Sequence, residues 1–384
     1  MSLENAIKQV RDMVAIPSVN PMGRPVSGDI YFESHLADFV ETKMKNLGMD
    51  IEKYEVLEGR PNVVGVLHKP GKPLLLLDSH LDTVPVEGMK DPFDPVIKNN
   101  QILGRGSCDT KASMAMFLTA IEELKAENKE LAWSIVLAGT VDEELHAKGA
   151  HALVDKGLRP DLVILGEPTE LNMIYAHKGA VRFHIETFGK SCHSSMPHLG
   201  KNAIYTMSEI LIRIRAMGDS QLPKIKNADL GSPTINPGTI TGGISVNAVP
   251  DYCMIDVDFR TIPGQTVADV FELLKIALKD IDPADYKIKT PHLDAMAMYT
   301  SKDSKYSQLL CRCCRKFHPA SEFQVASYAT DAQAFSPINT PALVFGPGSI
   351  KVAHTINEFL PINELEISIK IMKEFLTSDF NALC

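Results

Sequence analysis

An α/β fold interrupted by a smaller α+β unit is what the sequence predicts, on three observations. Short aliphatic runs bounded by turn residues alternate with helix-period segments, the pattern of a mostly parallel, mixed sheet between helices. From Gly179 the apolar runs give way to strict alternation, which suits a half-exposed antiparallel sheet. After Asp282 and Pro283 the first texture returns, so the middle segment reads as an insertion. The expected division is an outer domain of residues 1–178 and 290–384 around an inserted domain of residues 179–289. A length of 384 residues fits two domains at about 150 residues each. No internal repeat is visible.

The elements follow in order. An opening helix over Glu4–Val14 ends before Ile16 and Pro17. A second, over Ile30–Asn46, carries Phe32, Leu36, Phe39, Val40 and Met44 on one stripe and stops at Gly48, a suitable C′ glycine. Buried strands are expected at Asn62–Leu67, Pro73–Asp78, Ala132–Gly139 and Asp161–Leu165, each short and aliphatic. Between them Asp109–Glu127 has helical spacing through Met114, Phe117, Leu118, Ile121 and Leu124. In the inserted segment Val181–Phe188 and Met254–Arg260 alternate, and helices near Asn202–Met217 and Val267–Lys279 would cover one face. A helix at Ser304–Phe317, a strand at Pro341–Phe345 and a closing helix at Ile362–Thr377 complete the outer domain.

Composition narrows the class. The chain is 45% hydrophobic and 23% charged, with 24 glycines and 24 prolines, which excludes disordered, collagen-like and low-complexity proteins. A net charge of −9 offers no positive footprint for nucleic acid or anionic lipid. The longest apolar runs, Pro73–Leu77 and Ser134–Ala138, fall far short of the roughly 20 residues a membrane helix needs. Met1–Asn5 has no apolar signal region, and seven cysteines, an odd number, in a chain this long do not suggest a disulfide scaffold. The expectation is a soluble, cytoplasmic protein with neither a nucleic-acid nor a membrane partner.

The chemistry gathers where strands end. In open α/β sheets ligands bind just beyond the carboxyl ends of the strands. There the sequence places Asp78–Pro85, Gly104–Asp109, Val141–Glu144, Gly166–Pro168, and Gly346–Ser349 followed by His354. His80 and Asp82 are two apart and share a side of an extended chain, so the carboxylate can fix the imidazole tautomer; a capped turn with a surface histidine is the plain alternative. Glu143 and Glu144 point apart, which lets one ligate a metal while the other serves as general base; the alternative is an acidic helix start. Asp109 opens a helix, where capping is the default role, but its carboxylate can also bridge two cations. Imidazoles with carboxylates and no thiolate group suit Zn2+, Co2+ or Mn2+ in a two-metal hydrolytic site. Cys311, Cys313 and Cys314 lack the paired spacing of structural zinc and read as helix thiols, and Cys108 as a small buried hydrophobe.

With these residues in view, the sequence resembles the acetylornithine deacetylase and succinyl-diaminopimelate desuccinylase family of co-catalytic zinc aminoacylases, which includes carboxypeptidase G and related dipeptidases. The match runs in order through SHLDTVP (79–85), GRGSCDTKA (104–112), VDEE (141–144), GEPT (166–169), AHKGA (176–180), GKSCHSSMP (189–197), GGISVNAVP (242–250), DFRTIPG (258–264), GPGS (346–349) and His354. The resemblance implies a catalytic outer domain, an inserted lid and dimerisation domain, and a homodimer. It implies two divalent cations, Zn2+ foremost and Co2+ or Mn2+ as alternatives: one on His80 and Glu167, the other on Glu144 and His354, with Asp109 bridging. Asp82 would orient His80, and Glu143 would take a proton from a metal-bridging water. A cis peptide is implied at Asp109–Thr110. His193 would complete the oxyanion site, Asn247 and Arg260 would hold the substrate carboxylate, and Gly348 and Ser349 belong to the substrate-binding set. Without the resemblance these lid residues read as a loop histidine, a turn asparagine and a strand-end arginine.

Thr110, Ala112 and Cys192 depart from the residues common in the family at those positions, but no ligand or base is lost. The implied activity is hydrolysis of an N-acyl amino acid or short peptide, with deacetylation of an acetylated basic amino acid leading and a desuccinylase, dipeptidase or carboxypeptidase as alternatives. Asp331 could face a basic side chain or cap a helix. A metal-free binding protein is the remote alternative, and a dinucleotide-dependent oxidoreductase lacks its glycine fingerprint after any strand.

Overall fold

The structure is a computed structural model and describes residues 2–378. The chain forms two compact units: residues up to Ala176, Tyr299–Val325 and from Thr330 onward in one, His177–Met298 with Ala326–Ala329 in the other. The second crossing falls later than residue 290 for a physical reason. Strands Tyr286–Ile288 and Leu293–Ala295 both pair with Gly179–Phe188 and so belong to the inserted sheet.

The first unit is built on a nine-stranded mixed sheet. Four strands at its centre run parallel: Ser134–Thr140, Leu74–His80, Leu162–Leu165 and Ala342–Val344. They are almost wholly buried, which is why they read as continuous aliphatic runs. Asp50–Leu57 and Arg60–Leu67 extend the sheet as an antiparallel hairpin on one side, and Met173–His177 pairs antiparallel with Ala342–Val344 on the other. The helix expected from Asp109 begins two residues later, over Lys111–Ala126, with Thr110 at the N-cap position and no side-chain cap bond. It packs against helices Ser2–Val14 and Ile362–Thr377, and Lys111 Nζ ties its start to the carbonyls of Met13 and Ile16 at 2.9 and 2.8 Å. The second helix starts at Ser34 rather than Ile30.

A separate three-stranded sheet joins Val96–Lys98, Gln101–Leu103 and Phe359–Pro361. Its register brings Glu358 beside the segment that leads into Asp109. The Glu358 carboxylate accepts the main-chain N–H groups of Cys108 and Asp109 at 3.0 and 3.1 Å and the Arg105 guanidinium at 2.6 Å.

The inserted unit is a five-stranded antiparallel sheet in which Tyr252–Thr261 lies between Thr234–Gly242 and Gly179–Phe188. Helices Ala203–Ser220 and Val267–Ala277 cover one face. Val181, Phe183 and Ile185 meet Ile255, Val257 and Phe259 there, with Met207, Ile210, Val270 and Leu274 above them. The opposite face carries the polar half of the alternation.

Among the described residues all six cysteines are free, and all but Cys192 are buried; Cys384 lies outside the described residues. No described helix is long and apolar enough to cross a membrane.

Candidate metal centre

His80 is the last residue of strand Leu74–His80 and is 3% exposed. Its Nδ1 lies 2.9 Å from the main-chain oxygen of Asp82. A carbonyl can only accept, so Nδ1 carries the hydrogen and the lone pair of the neutral ring sits on Nε2. That nitrogen faces Asp109 Oδ1 at 3.0 Å and Glu167 Oε1 at 3.8 Å. A lone pair aimed at two carboxylates is repulsive unless a proton or a cation stands between them.

Asp109 is 5% exposed, and its second oxygen faces the other way. Oδ2 lies 3.1 Å from His354 Nε2, which is also 3.1 Å from Glu144 Oε2. His354 sits in a loop with a positive φ of 60° and has its own ring half in solvent. Two candidate ligand groups therefore share one carboxylate: His80, Asp109 and Glu167 on one side, Asp109, Glu144 and His354 on the other. The five residues come from five strand ends or their following loops, and the Asp109–Thr110 peptide is cis.

Glu143 and Glu144 occupy a turn after strand Ser134–Thr140, not a helix start; the next helix opens at Lys148. The turn is held by Asp82. Its carboxylate accepts the main-chain N–H groups of Glu143 and Glu144, each at 3.1 Å, and the Asn20 amide at 2.7 Å. The Asp82 side chain thus organises the glutamates, while His80 is oriented by the Asp82 carbonyl, with the carboxylate standing 3.6 Å from Nδ1.

Behind this lies a buried polar network that sequence spacing does not reveal. Asn20 also reaches Asp142 at 3.2 Å, and Arg60 joins Asp142 at 2.8 Å to Glu33 at 2.6 Å. Asp142 adopts a positive φ of 68°, and close packing fixes its neighbourhood: a Cβ on Gly149 would lie 2.3 Å from the Val141 nitrogen. The only sequence signal for Arg60 is a charged residue opening an otherwise apolar strand. Asp331, read from sequence as a basic-side-chain contact or a cap, is 2% exposed and shares the Thr140 hydroxyl with Asp78. The cap there is Thr330, whose side chain accepts from Ala332 N.

The electrostatics describe an excess of buried negative charge. Burial pushes the carboxyls of Glu143, Glu144, Glu167 and Asp331 above the usual range. Burial would also raise Asp109, but the His354 and His80 rings on its two oxygens outweigh that and hold it low. The Asp109 and Glu144 carboxylates push His354 up to about 10. Glu144 Oε1 is covered and has no hydrogen-bond partner. Two divalent cations fit these residues: they would satisfy the orphan oxygen, the inward lone pair and the surplus charge together.

The other residues expected at the site have partners of their own. Gly348 donates its N–H to Glu364 Oε2 at 2.8 Å, and the Ser349 hydroxyl bonds Glu170. In the inserted unit His193 is exposed, and the Ser195 N–H donates to its Nδ1 at 3.2 Å, which leaves the hydrogen of the neutral ring on Nε2. The next residue, Ser194, donates its N–H to the Asn247 main-chain oxygen at 3.0 Å. Arg260 bonds Asp258 at 2.7 Å on strand Tyr252–Thr261.

Residues 76–378 match the model of peptidase family M20/M25/M40. The chain belongs to this family. It is 31% identical over 341 residues to acetylornithine deacetylase of Aliivibrio salmonicida, covering 86% of this chain and 88% of the relative. It is 30% identical over 388 residues to the Proteus mirabilis protein of the same name, covering 98% and 97%. In fold it is similar to aminopeptidase PepT from Bacillus cereus, with a TM-score of 0.79 at 20% identity and 98% of each chain covered. It is also similar to a Bacillus subtilis protein described as a dinuclear metal binding peptidase of the M20 family, with a TM-score of 0.72 at 14% identity and 98% of each chain covered. An M20 family member with these ligand groups is a metal-dependent amidohydrolase.

Proposed function

We propose that the protein is a dinuclear-metal hydrolase that removes an acyl group, acetyl foremost, from the amino group of an amino acid. The observation that carries this reading is the division of Asp109 between two ligand groups, one oxygen to each. His80 and Glu167 would hold one cation, Glu144 and His354 the other. When bound, the pair supplies Lewis acidity for the acyl oxygen and for a water near neutral pH, with Zn2+ the first candidate and Co2+ or Mn2+ the next.

Glu143 is the base. It lies beside the ligand Glu144, half-buried, and its raised carboxyl suits a group that takes a proton from the attacking water and returns it to the departing amine. The Nε2–H of His193 is the candidate donor to the developing oxyanion. Arg260 and Asn247 would hold the substrate carboxylate, and Gly348 and Ser349 would line the substrate site.

The deacetylase assignment rests on the relatives' names and on a match over most of the chain. The test is hydrolysis by Zn2+- or Co2+-loaded protein of N-acetylornithine, N-acetyllysine, N-succinyl-diaminopimelate and a set of dipeptides. Preference for the acetylated basic amino acids is expected; preference for the succinyl compound or the dipeptides overturns the acyl assignment and keeps the reaction class.

A homodimer formed through the inserted unit, in the cytoplasm, completes the proposal. Ile240 on strand Thr234–Gly242 is 56% exposed, and Ile244 and Val246 just beyond it are 92% and 99% exposed, an apolar edge suited to a second copy. Light scattering that gives the monomer mass at micromolar concentration would overturn it.

A further inference from the structure

The polar face of the inserted sheet carries an arrangement unrelated to the five ligands above. On strand Gly179–Phe188 the residues Val181, Phe183 and Ile185 enter the core, so Arg182, His184 and Glu186 share the other face. On the neighbouring strand Asp256 stands directly opposite His184. From the other side comes His292, in the connection between strands Tyr286–Ile288 and Leu293–Ala295, placed by its N–H bond to Arg182 O at 2.9 Å. Three chain segments thus bring two imidazoles and a carboxylate to one spot, with ligand atoms all within 4.8 Å of one another.

The spacing is informative. His184 Nε2 lies 3.7 Å from Asp256 Oδ2, and His292 Nε2 lies 3.8 Å from Asp256 Oδ1. Both are too long for hydrogen bonds. They are close to the roughly 3.3–3.6 Å that separates ligands around a tetrahedral ion with bonds of about 2.0–2.2 Å. The two rings lie side by side with centroids 4.9 Å apart.

The other acids on this face are taken. Asp258 is bonded by both Arg182 and Arg260, and Glu186 by Tyr252 and Lys289. Asp256 Oδ1 alone among them is covered and lacks a hydrogen-bond partner, a state that costs free energy unless something fills it.

We propose that His184, Asp256 and His292 form a further metal site, on the sheet face of the inserted unit, for a borderline divalent ion of the Zn2+, Cu2+ or Ni2+ kind. Two imidazole nitrogens and one carboxylate select that class over Mg2+ or Ca2+, which prefer all-oxygen shells. The ion would clamp the connection holding His292 onto the strands bearing His184 and Asp256, with solvent completing its shell.

The test counts ions on the full-length protein. Wild type, His292→Ala and Asp256→Asn are dialysed to equilibrium against the same free Zn2+ and measured by mass spectrometry, with hydrolytic activity and circular dichroism recorded alongside. Each variant is expected to hold one ion fewer per chain while keeping activity within about twofold. Equal metal content in all three overturns the site. Because a variant can perturb the connection itself, a second measurement uses the unaltered chain: Zn2+ is expected to shield His184 and His292 from diethylpyrocarbonate. Modification at the same rate with and without Zn2+ also overturns it.

Discussion

The Asp82 carboxylate accepts the main-chain N–H of Glu144 at 3.1 Å and grips Glu143 in the same way, so one buried acid sets the position of the proposed base and of a proposed ligand. Asp82→Asn replaces one acceptor oxygen by a donor that faces an N–H. Losing such support behind metal ligands typically costs 10- to 100-fold. The expected outcome is a fall of that size in kcat/KM with weaker metal retention on dialysis and an unchanged circular dichroism spectrum. Unaltered kinetics would show that the turn holds itself.

Glu143→Gln keeps the side chain's shape and removes its capacity to accept a proton. Turnover is expected to fall by about 10²- to 10⁴-fold, while the ions bound per chain stay as in wild type. A variant that retains most of its activity would assign the proton transfer to another group.

Arg60 lies between two buried carboxylates, 2.6 Å from Glu33 and 2.8 Å from Asp142. Arg60→Met fills similar space but strands both charges, and breaking a buried pair in this way costs about 3–5 kcal/mol. Urea unfolding is expected to show a loss of that order. Arg60→Met combined with Glu33→Gln is expected to recover part of it.

His177 is fully buried, and burial lowers its ring to a pKa of about 4. The unfolded chain binds that proton near pH 6.5, so between about 6.5 and 4 the unfolded state holds more protons and stability falls as pH falls. The cost below pH 4 is on the order of 3 kcal/mol if the full difference is expressed. His177→Gln is expected to flatten the pH dependence of the unfolding midpoint in that window and leave the slope above pH 7 unchanged.

What could be read from sequence was whatever burial writes into local pattern. The parallel strands are dry on both faces, so Leu74–Leu77 and Ile135–Ala138 stand out as aliphatic runs, and the candidate ligands follow where those runs stop. The edge strand Asp50–Leu57 is not legible in the sequence, because its residues are exposed or half-exposed and Asp50, Glu52, Lys53 and Glu55 leave no clear alternation. His354 carries only the coarse signal of following a strand end; it stands in a loop, and its role as a ligand comes through the resemblance. The supporting network was invisible for a different reason. Asn20 and Asp142 are 122 residues apart, and hydrogen bonds across such distances leave no spacing to detect. The second crossing between the units is hard to read because Leu293–Ala295 is only three residues long and carries no local sign of which sheet it joins.

The strand Ala342–Val344 lies between Leu162–Leu165 and Met173–His177, although the chain makes it more than a hundred residues later. The sheet therefore cannot be completed until the chain has passed through the inserted unit and returned. The segment that completes it leads straight into the loop of His354. The proposed donor set is therefore incomplete until His354 itself has been made.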